Sequence, residues 1–269
     1  MGSNPTGDTE TVVRAFEDVR VHPPEIRARA RQAFLSGATV AEAARAVGLN
    51  YRTVWHWCRD RPESKQHGTA LRCFRCREGV RVPTDPTAYA YLLGLYLGDG
   101  HLVTRARVPV LRISCSDSWP GLIEACDDAM RRVLAAKVQR VQHPGCVSVQ
   151  SYGKHWPCLF PQHGPGKKHQ RPIVLADWQR PIVEAQAGDF LRGLFHSDGC
   201  RFANRVVVRE KEYVYPRYMF HNESADIMGL CQQALDRLGI AWRMNRPNSL
   251  SVARREAVAA LDQHVGPKS

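Results

Sequence analysis

Apolar positions recur at helical spacing in three short blocks between residues 25 and 61. From residue 85 onward, longer apolar runs alternate with strand-like stretches. The first block predicts a helix from Glu25 to Leu35, stopped by Ser36-Gly37. Thr39-Val-Ala-Glu42 is a capping box, in which hydroxyl and carboxylate satisfy each other's helix-start amides. The Ala-rich helix it opens ends near Val47-Gly48-Leu49. Asn50 then caps a third helix, Tyr51 to Arg59, broken by Pro62. Ala43, Val47, Leu49, Val54 and Trp57 fall where they would bury one face of such a trihelical unit. Residues 1–22 are polar and read as a tail.

Residues 85–265 hold an internal near-repeat. One copy reads Leu92-Leu-Gly94-Leu-Tyr-Leu-Gly98-Asp99-Gly100, the other Leu191-Arg-Gly193-Leu-Phe-His-Ser197-Asp198-Gly199. Each is a short apolar helix with small residues four apart, ended by Asp-Gly. The order downstream is similar in both. After Asp99, strands are predicted at Leu102 to Arg107 and Pro109 to Cys115, then a helix from Gly121 to Leu134. Strands at Val138 to Gln142 and Cys146 to Tyr152, an extra loop from Gly153 to Pro172, and a helix from Leu175 to Ala185 complete the first half. After Asp198 come strands Cys200 to Val208 and Tyr213 to His221, a helix Ser224 to Leu238, strands Ile240 to Arg246 and Ser249 to Val252, and a helix Arg254 to Val265.

Composition narrows the function. With 43% hydrophobic and 24% charged residues, the 269-residue chain is an ordinary folded protein rather than a disordered one. A net charge of +12 points to a polyanionic partner. The longest apolar run, Tyr89 to Leu97, is far short of a membrane span, and the polar, acidic Met1 to Glu10 is no export signal. Nine cysteines, an odd number without an export signal, suit reduced thiols or metal ligands better than disulfides. The expectation is a cytoplasmic bacterial protein, on the nucleoid when bound.

The tight turn at Gly48 between two helices is a helix-turn-helix feature. Residues 23–62 resemble the helix-turn-helix units of bacterial regulators and resolvases; the alternative is a small bundle with no DNA role. In the resembling units the last helix enters a major groove, which would bring Tyr51, Arg52, Thr53 and His56 to base edges. In the 63–84 linker, Cys73-Phe-Arg-Cys76 presents two thiolates to one tetrahedral metal, and Cys58 with His67 would complete a structural Zn²⁺ site. The alternative is a pair of unligated linker thiols. His155, Cys158, His163 and His169 form a second His/Cys cluster, readable as zinc ligands or as phosphate contacts beside Gly164, Gly166, Lys167 and Lys168.

The near-repeat has its own physical logic. Gly94 and Gly98 share one helix face, as do Gly193 and Ser197, so two such helices can approach backbone to backbone. They would then end together and set Asp99 beside Asp198. Neighbouring carboxylates repel, and divalent cations relieve that repulsion, as in two-metal phosphodiester hydrolases.

The paired segments resemble the motifs of the LAGLIDADG homing endonuclease family. The resemblance covers about two thirds of the chain. It implies an α+β fold in which two pseudo-symmetric αββαββα halves, 85–187 and 188–269, form a DNA-binding β-saddle in a monomer, preceded here by the all-α helix-turn-helix unit. It further implies Asp99 and Asp198 as acids that bind Mg²⁺ or another divalent cation, with the carbonyls of Gly98 and Ser197 as supplementary ligands. A polar residue ends the second strand of each half, at about Ser114 and at His221, with Asn222 beside it. A basic residue near the last helix supports the attacking water, with Lys168 and Arg254 the nearest candidates; Arg254 stays charged and acts only electrostatically. Basic residues of the saddle expected on double-stranded DNA are Arg105, Arg107, Arg112, Lys154, Lys167, Arg201, Arg205, Arg209, Lys211, Arg217 and Arg254. His196 and Leu97 depart from the motif one residue before its small position. The implied function is site-specific, metal-dependent cleavage of double-stranded DNA. The alternative is a non-cleaving transcriptional regulator on the same scaffold, as in a branch of bacterial sporulation regulators whose helix-turn-helix is C-terminal. The retained Asp pair favours cleavage; the attached helix-turn-helix favours regulation.

Overall fold

The structure is a computed structural model and describes residues 24–59, 73–76, 82–266 and 268. The chain divides into two compact units, residues 1–67 and 68–269. The predicted tail, His67 and most of the linker lie outside the described residues.

The first unit contains α1 (Pro24–Leu35), α2 (Val40–Ala46) and α3 (Tyr51–Arg59). The capping box is present: Glu42 N–H donates to Thr39 Oγ1 at 3.3 Å, and Thr39 N–H donates to Glu42 Oε2 at 2.7 Å. These bonds hold the Glu42 carboxyl below its ordinary value. Gly48 turns the chain at φ +67°, and Asn50 Oδ1 accepts from Arg52 N–H at 2.8 Å to start α3. Ala30, Ala43, Ala44 and Val54 are buried, with Val47, Leu49 and Trp57 packed around them, as the spacing predicts. Tyr51 and Arg52 are exposed and Thr53 partly so.

The second unit repeats one plan. Its first half runs α4 (Pro86–Asp99), β1 (Gly100–Val103), β2 (Val110–Ser116), α5 (Pro120–Val133), β3 (Gln139–His143), β4 (Cys146–Tyr152), a short inserted α6 (Trp156–Leu159) and α7 (Arg180–Ala185). Its second half runs α8 (Ala187–Asp198), β5 (Gly199–Val208), β6 (Lys211–His221), α9 (Ala225–Arg237), β7 (Arg243–Arg246), β8 (Ser249–Val252) and α10 (Arg255–Val265). Both sheets are four-stranded and antiparallel, in the same order: β1-β2-β4-β3 and β5-β6-β8-β7. Among the described residues no helix is long and apolar enough to cross a membrane.

Every residue of α4 from Ala88 to Leu97 is buried, which places this largely apolar helix at the centre of the unit. Asp85 caps it, accepting from Ala88 N–H at 2.9 Å, and Pro86 sits where no helical donor is needed. One apolar cluster runs from α4 through α8 into both sheets, including Leu92, Leu95, Phe190, Leu194, Phe195 and Phe220.

Three predictions need correction. The first strand of half one ends at Val103 rather than Arg107, because its pairing with β2 runs only from Gly100 opposite Ile113 to Val103 opposite Val110. The last helix of half one begins at Arg180 rather than Leu175. Gln179 is fully buried and binds elsewhere: its Oε1 accepts from Ala176 N–H at 2.8 Å and its Nε2 donates to Tyr89 Oη at 2.6 Å. The 153–172 loop is part of the core, since Trp156, Leu159 and Phe160 are buried.

Candidate functional site

The site begins with the absence of side chains. A Cβ on Gly94 would lie 2.5 Å from Phe190 O and 2.8 Å from Gly193 Cα, all rigid backbone. Gly193 faces Gly94 in the same way, 2.9 Å from a Cβ to Gly94 Cα. A Cβ on Gly98 would fall onto the Ser197 side chain. Only glycine at these positions lets α4 and α8 cross with their backbones in contact.

That contact carries both helices to the same end point. Gly100 N–H donates to Tyr96 O and Gly199 N–H to Phe195 O, so each helix closes identically after its Asp. Asp198 Oδ2 lies 3.0 Å from where a Cβ on Gly98 would stand, one residue from Asp99. Burial, and then the Asp198 carboxylate, push the Asp99 carboxyl up to about 6. Burial likewise raises Asp198, although its Oδ2 accepts from Asn222 Nδ2 at 2.7 Å.

Two lysines complete the arrangement. Lys168 Nζ donates to Tyr96 O and Gly98 O, both at 2.6 Å. Lys268 Nζ donates to Gly199 O at 2.6 Å and Ser197 O at 3.4 Å. Burial pushes Lys168 down to about 8 and lowers Lys268, while the two Asp carboxylates favour both charged forms. A cleft of about 500 Å³ opens beside them, lined by Asp198, Lys168, His101, His163, His169 and His221 among others. Paired oxygen donors flanked by amines can hold divalent cations and a phosphate together.

Two helices in glycine contact, each ending in Asp-Gly and each feeding a four-stranded sheet of one order, decide the architecture. The body repeats the αββαββα plan in two halves that meet at their Asp helices, the architecture that the resemblance to the LAGLIDADG family implies. No protein-family model and no curated protein matches the chain. Among solved structures, a mutant of I-SmaMI is similar at 9% identity, over 67% of this chain and 85% of that one, with a TM-score of 0.45. I-WcaI bound to its DNA recognition sequence is similar at 12% identity, over 77% and 90%, with a TM-score of 0.45. The N-terminal LAGLIDADG domain of DUF199/WhiA is similar at 14% identity, over 70% and 88%, with a TM-score of 0.41.

On this fold the predicted residues separate clearly. Asp99, Asp198, Lys168 and the carbonyls of Gly98 and Ser197 come together. Asn222, not His221, binds Asp198; His221 lines the cleft and faces Glu223 at 3.4 Å. Ser114 sits on the exposed side of β2, opposite Ser148. Arg254 does not reach the acids: it is exposed and begins α10, its carbonyl accepting from Val258 N–H. Lys268 takes the place expected of it. The sequence signal was Gly266-Pro267-Lys268, an echo of Gly164-Pro165-Gly166-Lys167-Lys168 that motif spacing alone does not reveal.

Arg112 and Arg217 lie on the sheet faces turned away from the buried cores, Arg112 between His101 and Gln150 in the register. Arg105, Arg107, Lys154 and Lys167 are exposed, and Arg209 and Lys211 stand at the exposed β5–β6 hairpin tip. Arg201 and Arg205 fall on the opposite face of β5 from Phe202 and Asn204. Arg201 is bidentate to Asp262 at 2.8 and 2.9 Å, and Arg205 binds Glu212 at 2.9 Å. Strand alternation sets these two apart from Arg217.

The departures from the motif have structural roles. His196 Nδ1 meets Tyr91 Oη at 3.0 Å and its Nε2 meets Val265 O at 3.0 Å, tying α8 to α4 and α10. Leu97 is core. Cys58 does not join Cys73 and Cys76 as expected: it packs in the first unit, its thiol 3.8 Å from Ala30 O. Cys73 and Cys76 instead meet His155, and with it Cys158. His163 stands apart, ring to ring with His101 at 5.9 Å.

Proposed function

We propose that the protein binds double-stranded DNA through the open faces of its two sheets and cuts it at the Asp99–Asp198 pair as a site-specific, metal-dependent endonuclease. The observation that carries this reading is the convergence of two carboxylates and two lysines, one of each from either half, at the ends of the glycine-packed helices. I-WcaI, similar in fold, is bound to its DNA recognition sequence, and the net charge of +12 suits the same partner here.

The donor set fits a hard divalent cation. It offers only oxygens, and the burial and the neighbouring Asp198 carboxylate that raise Asp99 both disfavour an uncompensated carboxylate, which a bound dication offsets. Asp99 and Asp198, with the carbonyls of Gly98 and Ser197, would hold Mg²⁺, which supplies charge neutralisation at the scissile phosphate and an activated water. Asn222 fixes the Asp198 carboxylate in orientation. Lys168 and Lys268 keep positive charge beside the place where phosphate would sit. Arg112, Arg217, Arg209 and Lys211 meet the duplex, and Tyr51, Arg52 and Thr53 give the first unit its own groove contact; the side chain of His56, expected beside them, lies outside the described residues.

The test is selection of bound DNA from a random library, followed by incubation of the selected duplex with Mg²⁺. Cleavage by the native protein, lost in Asp198→Asn with binding kept, supports the proposal. Tight sequence-specific binding without cutting supports the regulator reading instead. A log-log plot of affinity against salt with no slope would overturn both.

A further inference from the structure

Outside the Asp pair lies a second cluster of metal-ligating side chains. Cys73, Cys76, His155 and Cys158 are all buried, and their four ligand atoms lie within 4.8 Å of one another. Cys73 Sγ and Cys76 Sγ each stand 3.3 Å from His155 Nδ1. A tetrahedral zinc with Zn–S of about 2.3 Å and Zn–N of about 2.0 Å has ligand-to-ligand edges of roughly 3.5–3.8 Å. The cluster already has nearly that size.

The backbone supplies the same device twice. Phe74–Cys76 is a 3₁₀ turn in which Cys76 N–H donates to Cys73 O at 3.0 Å. His155 begins α6, and Cys158 N–H donates to His155 O at 3.0 Å. In each turn two ligands three positions apart point to one side, so Cys-x-x-Cys faces His-x-x-Cys. Three thiols and an imidazole are a poor core and a good ligand set: among the described residues the cluster contains no other apolar residue. All nine cysteines of the chain are free, and three thiols around a histidine leave one over from any disulfide.

We propose that Cys73, Cys76, His155 and Cys158 hold one structural Zn²⁺. Binding converts three thiols to thiolates, their protons passing to water, and leaves a Cys₃His centre with a net charge of −1. The zinc fastens the 73–76 segment to the root of the 153–172 insertion. That insertion is the stretch whose far end sets Lys168 on Gly98 O. The ligand atoms are the three Sγ and His155 Nδ1.

Protein purified without chelator and analysed by plasma mass spectrometry is expected to hold one zinc per chain. The Asp99→Asn and Cys58→Ser variants keep that zinc, and Cys158→Ser loses it. Should Cys158→Ser fail to fold, the native protein still decides. Cobalt-loaded native protein is expected to show thiolate-to-metal charge transfer and the intense visible bands of a tetrahedral centre. A native protein without zinc whose Cys73, Cys76 and Cys158 react freely with a thiol reagent, or form a disulfide, overturns the proposal. So does zinc lost equally in Asp99→Asn, which would place the metal at the acids.

Discussion

Replacing Gly94 by Ala tests whether backbone contact between α4 and α8 sets the geometry of the acids. The new Cβ would stand 2.5 Å from Phe190 O and 2.8 Å from Gly193 Cα, so it is about 0.9 Å short of ordinary contact against atoms that cannot rotate away. Overpacking of this kind costs about 1–3 kcal/mol. Ala in a helix interior returns about 0.5–1 kcal/mol over Gly. Because the obstruction is backbone on both sides, the upper end of the cost applies, and the net loss is expected to be about 2 kcal/mol. Gly229, in the middle of α9 with no heavy atom near its added Cβ, supplies the opposite case. Gly229→Ala is expected to gain about 0.5–1 kcal/mol. Urea unfolding of the three proteins measures both, with the midpoint read at constant slope. Gly193→Ala should cost a similar amount alone and less on top of Gly94→Ala, since helices already forced apart have room for a second methyl. If Gly94→Ala stabilises as Gly229→Ala does, the close approach is wrong, and with it the reason the two Asp meet.

Other outcomes follow from the same geometry. The Asp99 carboxyl sits at about 6 in the folded protein and near 3.9 when unfolded. The folded state therefore binds the extra proton, and stability falls as pH rises through this interval. Asp99→Asn should be more stable than the native protein above pH 6, with the difference closing below about pH 4, as thermal midpoints across pH would show. Millimolar Mg²⁺ is expected to raise the midpoint of the native protein and to leave an Asp99→Asn/Asp198→Asn double variant unchanged; an equal rise in both would move the cation elsewhere. Arg209 and Glu210 hold φ of +48° and +66° at the β5–β6 turn, which costs each about 1 kcal/mol or more. Asn-Gly at these two positions should stabilise by about 1 kcal/mol in denaturant titration, and no gain would mean that the turn is not left-handed.

Much of this was legible because it is local. The capping box at Thr39 and Glu42, the turn at Gly48, and the small residues of the two motif helices are written at fixed spacings, and the chain obeys them. What could not be read were contacts set by the third dimension. Gln179 leaves a helical stretch because Tyr89, 90 residues away, offers it a buried partner. Arg201 and Arg205 look like their neighbours in sequence but fall on the face that meets Asp262 and Glu212. Cys73 and Cys76 stand three apart in a turn, but spacing does not say which residues meet them, and it groups His155 and Cys158 with His163 and His169 instead. Lys268 lies after the last helix, where no motif points.

The two lysines reach equivalent carbonyls from different places in the chain. Lys168 arrives from an insertion ahead of α7, and Lys268 from the segment beyond α10, yet each rests on carbonyls at the end of its own half's Asp helix. The halves match in helices and sheets but not in how they deliver the amine. A symmetric dimer of either half alone would carry two acids with both amines coming from one kind of strap. The present chain makes the same contact from two different places, one before the last helix of its half and one after it, so the halves are not interchangeable parts. An engineer recombining them with other halves of this fold would have to carry each strap along with its helix.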